Sequence, residues 1–202
     1  MLGKTQVAIL TLFRKDIFLK ASIKNIADRL RKSYPRVYEA VKGFEKEGIL
    51  NIERVGRSDI VSIALNEKAT SLLAFLEEQE TFRKVIPHYQ KILSIKEISD
   101  YIILIAGSYA SGKATKNSDV DLVVISPDDS DVVSLQKLIE NKTLVWQPPI
   151  HLYVFKQTDF IEMLLSEEEN YGKEIFKNRI IIKRASNYYN LIKEAIKHGF
   201  RG

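Results

Sequence analysis

The chain has 202 residues, room for one large domain or two small ones, with 31 Lys+Arg against 26 Asp+Glu and a formal net charge of +5. There is no Cys, which excludes a disulfide framework, a thiolate zinc site and a cysteine nucleophile. No run of about 18 apolar residues is present to span a membrane. The opening MLGKTQVAILTLFRKD breaks into charge at Arg14 without a small-residue cleavage site, so it does not read as a signal peptide. A hydrophobic fraction of 45% with 28% charged residues is that of an ordinary globular protein, and a cytoplasmic location with no membrane partner is expected. The charge is unevenly spread. Residues 15–57 hold 11 cations and 6 anions, and the rest of the chain balances at 20 of each. A basic docking module joined to a neutral one fits that asymmetry.

Val7, Ile9, Leu10 and Phe13 predict a first helix that ends near Lys15. Ser22 stands as an N-cap before Ile23, Ile26, Ala27 and Leu30, an apolar stripe at i, i+3, i+4 and i+7. Ser33 is a second N-cap candidate. Pro35 follows in the first turn, where a missing N–H is harmless, and Val37, Val41 and Phe44 line one face until Gly48 stops the helix. Leu50 and Ile52, then Val61, Ile63 and Leu65, alternate with polar residues around the turn Val55–Asp59, which predicts a β-hairpin.

Asn66 reads as the cap of a helix over EKATSLLAFLEEQE. A further amphipathic segment runs from Phe82 to Ile98, interrupted or restarted at Pro87. No Gly/Ser linker separates the halves, so residues 67–100 read as a helical connection between a domain at 1–66 and another at 101–202. In the second domain, Ile102–Ala106, Asp119–Ile125 and Ile150–Phe155 are apolar strands. Helical patterns lie at about Asp129–Glu140, Phe160–Leu165 and Ser186–Lys197, and the acidic Glu167–Glu169 reads as a solvated helix start. Strands alternating with helices predict an α/β or α+β domain.

Helix, helix, helix, hairpin is the order of a winged helix-turn-helix. The stretch KSYPRVYEAVKGFEKEGIL resembles the second helix-turn-helix element of archaeal and bacterial winged-helix regulators, over roughly residues 4–66. That resemblance implies double-stranded DNA as a partner and a homodimer as the assembly. The helix beginning at Tyr34 would enter the major groove with Arg36, Tyr38 and Lys42 toward the duplex, because Val37, Val41 and Phe44 occupy its other side. Lys24, Lys32, Arg54 and Arg57 would meet phosphates, with Arg57 at the wing tip, and Tyr34 and Tyr38 would add stacking or apolar contact. The bland alternative is a solvated helical face.

The run IAGSYASGKATKNSDVDLVVI carries the chemistry. An apolar strand ends in Gly107-Ser108, a polar loop follows, and Asp119-x-Asp121 opens the next strand. Residues two apart on a strand share a face, so the two carboxylates lie side by side. Such a pair is stabilised by a cation between them, and hard oxygen ligands suit Mg²⁺ or Mn²⁺. Gly107 allows close backbone approach to a phosphate, and Ser108 supplies a hydroxyl and an N–H.

This run resembles the catalytic motif of the DNA polymerase beta-like nucleotidyltransferases, in particular the minimal nucleotidyltransferases. The stretch GKEIFKNRIIIKRASNYYNLI from Gly172 to Ile192 is similar to their closing strand and helix. The fold implied is α+β: a winged helix-turn-helix joined by helices to a small mixed-sheet domain. The resemblance implies NTP as substrate, Gly107 and Ser108 at the triphosphate, and Asp119 and Asp121 as catalytic metal ligands. Lys113 is the nearest candidate cation for phosphate, and a solvated loop lysine is its equal alternative. Active members carry a third carboxylate on a later strand, and here that position is His151. A neutral imidazole there could serve as general base, could bind a softer metal, or could mark a site that binds nucleotide without turnover. Asp159 lies beyond the strand and is a poor geometric substitute. His88 and His198 read as surface residues. The family also pairs with separately encoded helical partner proteins, which this chain does not resemble.

Overall fold

The computed structural model describes residues 2–82 and 84–202, in two compact units, Met1–Leu76 and Glu77–Gly202. The fold is α+β.

The first unit begins with α1 (Lys4–Lys15), β1 (Ala21–Ser22), α2 (Ile23–Leu30) and α3 (Tyr34–Lys46). Ile9, Leu10, Phe13, Ile26, Val37, Val41 and Phe44 are all fully buried, so the apolar stripes of the three helices meet in one core. Ser22 caps α2 by accepting from the Asn25 N–H at 3.1 Å. Ser33 occupies the N-cap of α3 without a side-chain cap bond. Gly48 follows α3 in the left-handed region (φ +71), and Ile49 N–H reaches back to Phe44 O at 2.8 Å, closing the helix in a Schellman-type turn. The hairpin is β2 (Leu50–Val55) and β3 (Ser58–Ile63), joined by only Gly56 and Arg57. Gly56 takes φ +59 there. β1 adds to β3, giving a three-stranded sheet of order β1-β3-β2. Three helices with a hairpin wing on such a sheet make a winged helix.

α4 (Glu67–Thr81) is capped by Asn66, whose side chain accepts from Ala69 N–H at 2.9 Å. The amphipathic segment expected over Phe82–Ile98, with a break at Pro87, forms less helix than its length allows. Only α5 (Tyr89–Leu93) and a single 3₁₀ turn at Lys96–Ile98 form, and Arg83 lies outside the described residues. His88 adopts φ +60 just before α5, after Pro87 has stopped any earlier helix. His88 is also not a plain surface residue: its Nε2 lies 2.9 Å from Pro148 O and its ring packs on Trp146 at 4.9 Å.

The second unit is built on a mixed four-stranded sheet, β4 (Ile102–Ile105), β5 (Val120–Ser126), β6 (Ile150–Lys156) and β7 (Ile180–Lys183), in the order β6-β5-β4-β7. β5 and β6 are parallel and the other pairs antiparallel. The polar loop expected after β4 begins as a short helix, α6 (Gly107–Ser111). Around the sheet stand α7 (Val132–Thr143), α8 (Gln157–Leu165), α9 (Tyr171–Lys177) and α10 (Ala185–Lys197). Glu167–Glu169 precede α9 rather than starting it. β4 and β5 are apolar and buried on both faces, which only a sheet covered on both sides permits. A buried polar cluster ties this unit together. Tyr189 OH donates to Glu77 Oε1 at 2.9 Å, Arg179 lies 3.9 Å from the same oxygen, and the Arg179 guanidinium stacks 4.6 Å from the Tyr188 ring. Burial pushes the Tyr188 hydroxyl up to about 12. Among the described residues, no helix is long and apolar enough to cross a membrane.

Candidate nucleotide site and candidate DNA interface

The end of β4 and the start of β5 meet at Gly107. Its φ is +59, a region L side chains rarely adopt, and a Cβ built there would stand 1.9 Å from Asp121 Oδ2 and 2.9 Å from Asp121 Cγ. Glycine is therefore required twice, by the turn and by the carboxylate pressed against it. The Ala106 N–H donates to Asp121 O at 2.9 Å, which holds the two segments in register. Ser108 follows within α6, half-buried. Gly112 (φ +73) ends that helix, and Lys113 lies exposed beyond it, its N–H bonded to Ser108 O at 2.9 Å. β5 starts at Val120, so Asp119 is the exposed residue just before the strand and Asp121 is the second residue within it.

The parallel pairing of β5 with β6 sets Asp121 directly opposite His151. His151 Nδ1 lies 3.5 Å from Asp121 Oδ1 and 3.2 Å from Tyr153 OH. Partial burial holds the Asp121 carboxyl above its ordinary range. His151 opposes the shift, while Asp119 and Glu174 add to it. Tyr171, at the start of α9, packs its ring at a tilt on Tyr153, 4.3 Å between centroids. Among the described residues the buried Tyr171 hydroxyl makes no hydrogen bond of good geometry, and burial followed by the charge of Asp121 holds it far above the usual phenol range. Tyr153, Tyr171 and Glu174 do not stand out in the sequence. The alternation of His151, Tyr153 and Phe155 along one strand face is the available signal for Tyr153, and nothing local points to α9. Asp159 caps the start of α8 through Lys156 N–H at 3.3 Å and stays outside this cluster.

Among the described residues, no three His, Asp or Glu side chains converge as a metal centre. The hard oxygen donors of Asp119 and Asp121 still fit a divalent cation that takes its remaining ligands from phosphate and water, with the Asp121 carboxylate seated in the space a Cβ of residue 107 would fill. A cavity of about 660 Å³ between α8 and α10 is lined by Asp128, Gln157 and Leu191 among others. It lies at the other end of β5 and β6 from Asp121.

On the winged helix, α3 turns its exposed side outward with Tyr34 and Tyr38 stacked at 5.9 Å and 48% and 38% exposed. Lys42 pairs with Glu45 at 2.8 Å, and Arg54 pairs with Asp59 at 2.8 Å across the wing. Lys24, Lys32, Arg36 and Arg57 make no ion pair among the described residues. At about 100° per residue, Tyr34, Tyr38 and Lys42 fall on one flank of α3 and Arg36 on the other, so the expected trio does not share a single row. His198 is exposed and pairs with Glu194 at 3.2 Å.

The fold defines a winged-helix protein that carries a mixed sheet, with Gly107-Ser108 at the end of β4 and Asp119 and Asp121 at the start of β5. Residues 86–197 match the family model described as the nucleotidyltransferase domain. The match spans more than half of the chain, and the chain belongs to that family. No curated protein matches it. Among solved structures it is similar to the homodimeric winged helix-turn-helix DNA-binding domain of Mb0332 from Mycobacterium bovis (17% identity, 43% of this chain and 74% of that one, TM-score 0.33). It is similar also to the transcriptional regulator BldR from Sulfolobus solfataricus (17%, 49% and 67%, TM-score 0.34). A third is a variant of ZitR from Lactococcus lactis (26%, 46% and 68%, TM-score 0.32). Likenesses of that size carry no weight for this chain. Its winged helix is defined by its own helix order and strand pairing.

Proposed function

We propose that this protein transfers a nucleoside monophosphate from an NTP to a hydroxyl acceptor, forming the bond from the acceptor oxygen to the α-phosphorus and breaking the α–β bridge with release of pyrophosphate, in a reaction that depends on Mg²⁺ or Mn²⁺, and that its winged helix binds double-stranded DNA. The observation that carries the first half is the contact of Gly107 with Asp121, because it leaves a carboxylate and bare backbone side by side where phosphate and cation would lie. Asp119 and Asp121 would hold the metal. When bound, the metal neutralises charge on the transferring phosphoryl group. Gly107 and Ser108 bind and orient the phosphates, with Lys113 as an outer cation. His151 would take the proton of the acceptor hydroxyl, a reading supported by its Nδ1 lying 3.5 Å from Asp121 Oδ1.

The test uses each α-labelled NTP with Mg²⁺ or Mn²⁺ and candidate acceptors, beside Asp119→Ala combined with Asp121→Ala. Transfer in the parent and none in the double variant is the expected result. Transfer that survives the double substitution refutes the assignment. A second reading is favoured by His151 standing opposite Asp121: the domain binds nucleotide without turnover and serves as a sensor for a winged-helix regulator. Metal-dependent NTP binding with no transfer to any acceptor would select it.

For the DNA half, Lys24, Lys32, Arg36 and Arg57, which make no ion pair among the described residues, would meet the duplex, with Lys42 and Arg54 released from their internal partners on binding. Tyr34 and Tyr38 offer apolar contact. Neutralising Arg36 and Arg57 together is expected to weaken duplex binding and to reduce the salt slope by about two. An unchanged slope refutes these contacts. A homodimer would place two such helices on two half-sites.

A further inference from the structure

The burial pattern of α3 singles out a residue that the basic character of the surface does not explain. Val37, Val41 and Phe44 are fully buried and define the inward direction. Glu39 stands about 200° around the helix from Val37, close to the outermost line. On one side of it lie Tyr34, Tyr38 and Lys42, and on the other Arg36. Glu39 is exposed, three residues from both Arg36 and Lys42, and pairs with neither. Lys42 turns to Glu45 instead. A carboxylate without an ion pair among the described residues thus stands on the outward side of α3, beside Arg36 and at the edge of a concavity shared with Gly3–Gln6 of the first helix's start.

On a surface that only held phosphates, this anion would oppose binding. In a major groove it has one favourable use, as an acceptor for an exocyclic amino group. The base edge that presents such a donor without an adjoining acceptor on the same base is cytosine, through N4. We propose that Glu39 reads a cytosine in the DNA site, accepting from its N4 amino group, while its charge rejects bases that present only acceptors there. This inference rests on the DNA-binding reading above and adds a specificity residue to it. It concerns discrimination between bases, whereas Arg36, Arg57 and the lysines supply affinity.

The test is selection of bound sequences from a random duplex library by the full-length protein, by Glu39→Ala and by Glu39→Gln, followed by binding measurements on the selected duplex. Both variants should fold, because the position is exposed and Ala and Gln are good helix formers. With the parent, one G·C pair per half-site should be required, and replacing it should weaken binding about fivefold to a hundredfold. Glu39→Ala should lose the requirement at that position alone and should bind random duplex more tightly, since an anion is gone. Glu39→Gln should shift the preference there toward adenine, which matches an amide. The proposal is overturned if Glu39→Ala selects the same sequence with the same discrimination as the parent. It is overturned too if the preferences that change with Glu39 involve no cytosine. If the parent itself binds no duplex, the DNA-binding reading fails and takes the proposal with it, an outcome distinct from the other two.

Discussion

Gly107→Ala isolates the contact on which the candidate nucleotide site depends. Two costs are expected. A non-glycine residue at φ +59 carries left-handed strain of about 1–2 kcal/mol. The new methyl would also sit 1.9 Å from Asp121 Oδ2, so the carboxylate must rotate away or β5 must shift, a form of overpacking that costs about 1–3 kcal/mol more. Gly112→Ala is the matched control. Its φ is +73, and nothing lies within 4 Å of the position its new methyl would take, so it should show the strain alone. The total should therefore be about 2–5 kcal/mol at Gly107 and about 1–2 kcal/mol at Gly112. Urea denaturation followed by tryptophan fluorescence reads the right unit, because Trp146 is the single tryptophan and belongs to the second one. Combining Gly107→Ala with Asp121→Ala should recover part of the loss, since the two nearest clashing atoms are then gone. Equal losses at Gly107 and Gly112, with no recovery in the double variant, would refute the proposed contact.

Three further outcomes follow from the same unit. Tyr171→Phe removes a buried hydroxyl that makes no hydrogen bond of good geometry among the described residues and keeps the ring on Tyr153, so thermal stability should hold or rise by up to about 1–2 kcal/mol; a clear loss would reveal a bond to that hydroxyl. Glu77→Ala strips Tyr189 and Arg179 of their shared acceptor and leaves a guanidinium buried, so it should cost about 3–5 kcal/mol in denaturant unfolding, and a loss under about 1 kcal/mol would contradict the network. Asp121 has a folded-state pKa raised above the unfolded 3.8, so its ionisation opposes folding, and that penalty develops as pH rises through the two values. Asp121→Asn should therefore melt higher than the parent at neutral pH, with the gap closing in acid near pH 4; a lower melting temperature for the variant at neutral pH would overturn this sign.

Much of the winged helix is legible from local pattern. Ile23, Ile26 and Ala27 on one helix, and Val37, Val41 and Phe44 on the next, repeat at helical spacing, and each is buried. Their burial follows from periodicity, which a short window of sequence contains. Gly48 and Gly56 mark left-handed turns where only glycine is unstrained. The pairing of Gly107-Ser108 with Asp119-x-Asp121 is legible for the same reason, since strand, turn and strand are contiguous. The connecting segment departs from its pattern because its apolar spacing suits a helix that Pro87 and the left-handed His88 divide. Gly107–Ser111 reads as loop because five polar and small residues leave no periodic signal.

What the sequence by itself determined is the helices and hairpin of the first unit, strands β4, β5 and β6 of the second, and the chemistry at their ends: a basic helix-hairpin module, and a glycine turn with two carboxylates. Tertiary structure alone decided which distant groups share the site. The parallel register of β5 and β6 brings His151 to Asp121 across 30 residues, and the fold of α9 sets Tyr171 on Tyr153. It likewise decided that Glu77 and Arg179 meet in the core and that Glu39 stands on the outward side of α3 without an ion pair among the described residues. The physical reason is one of range. Periodicity, capping and turn strain act over a few residues and are written in local sequence. Strand register and burial arise from packing the whole unit, and no short stretch of the chain contains them.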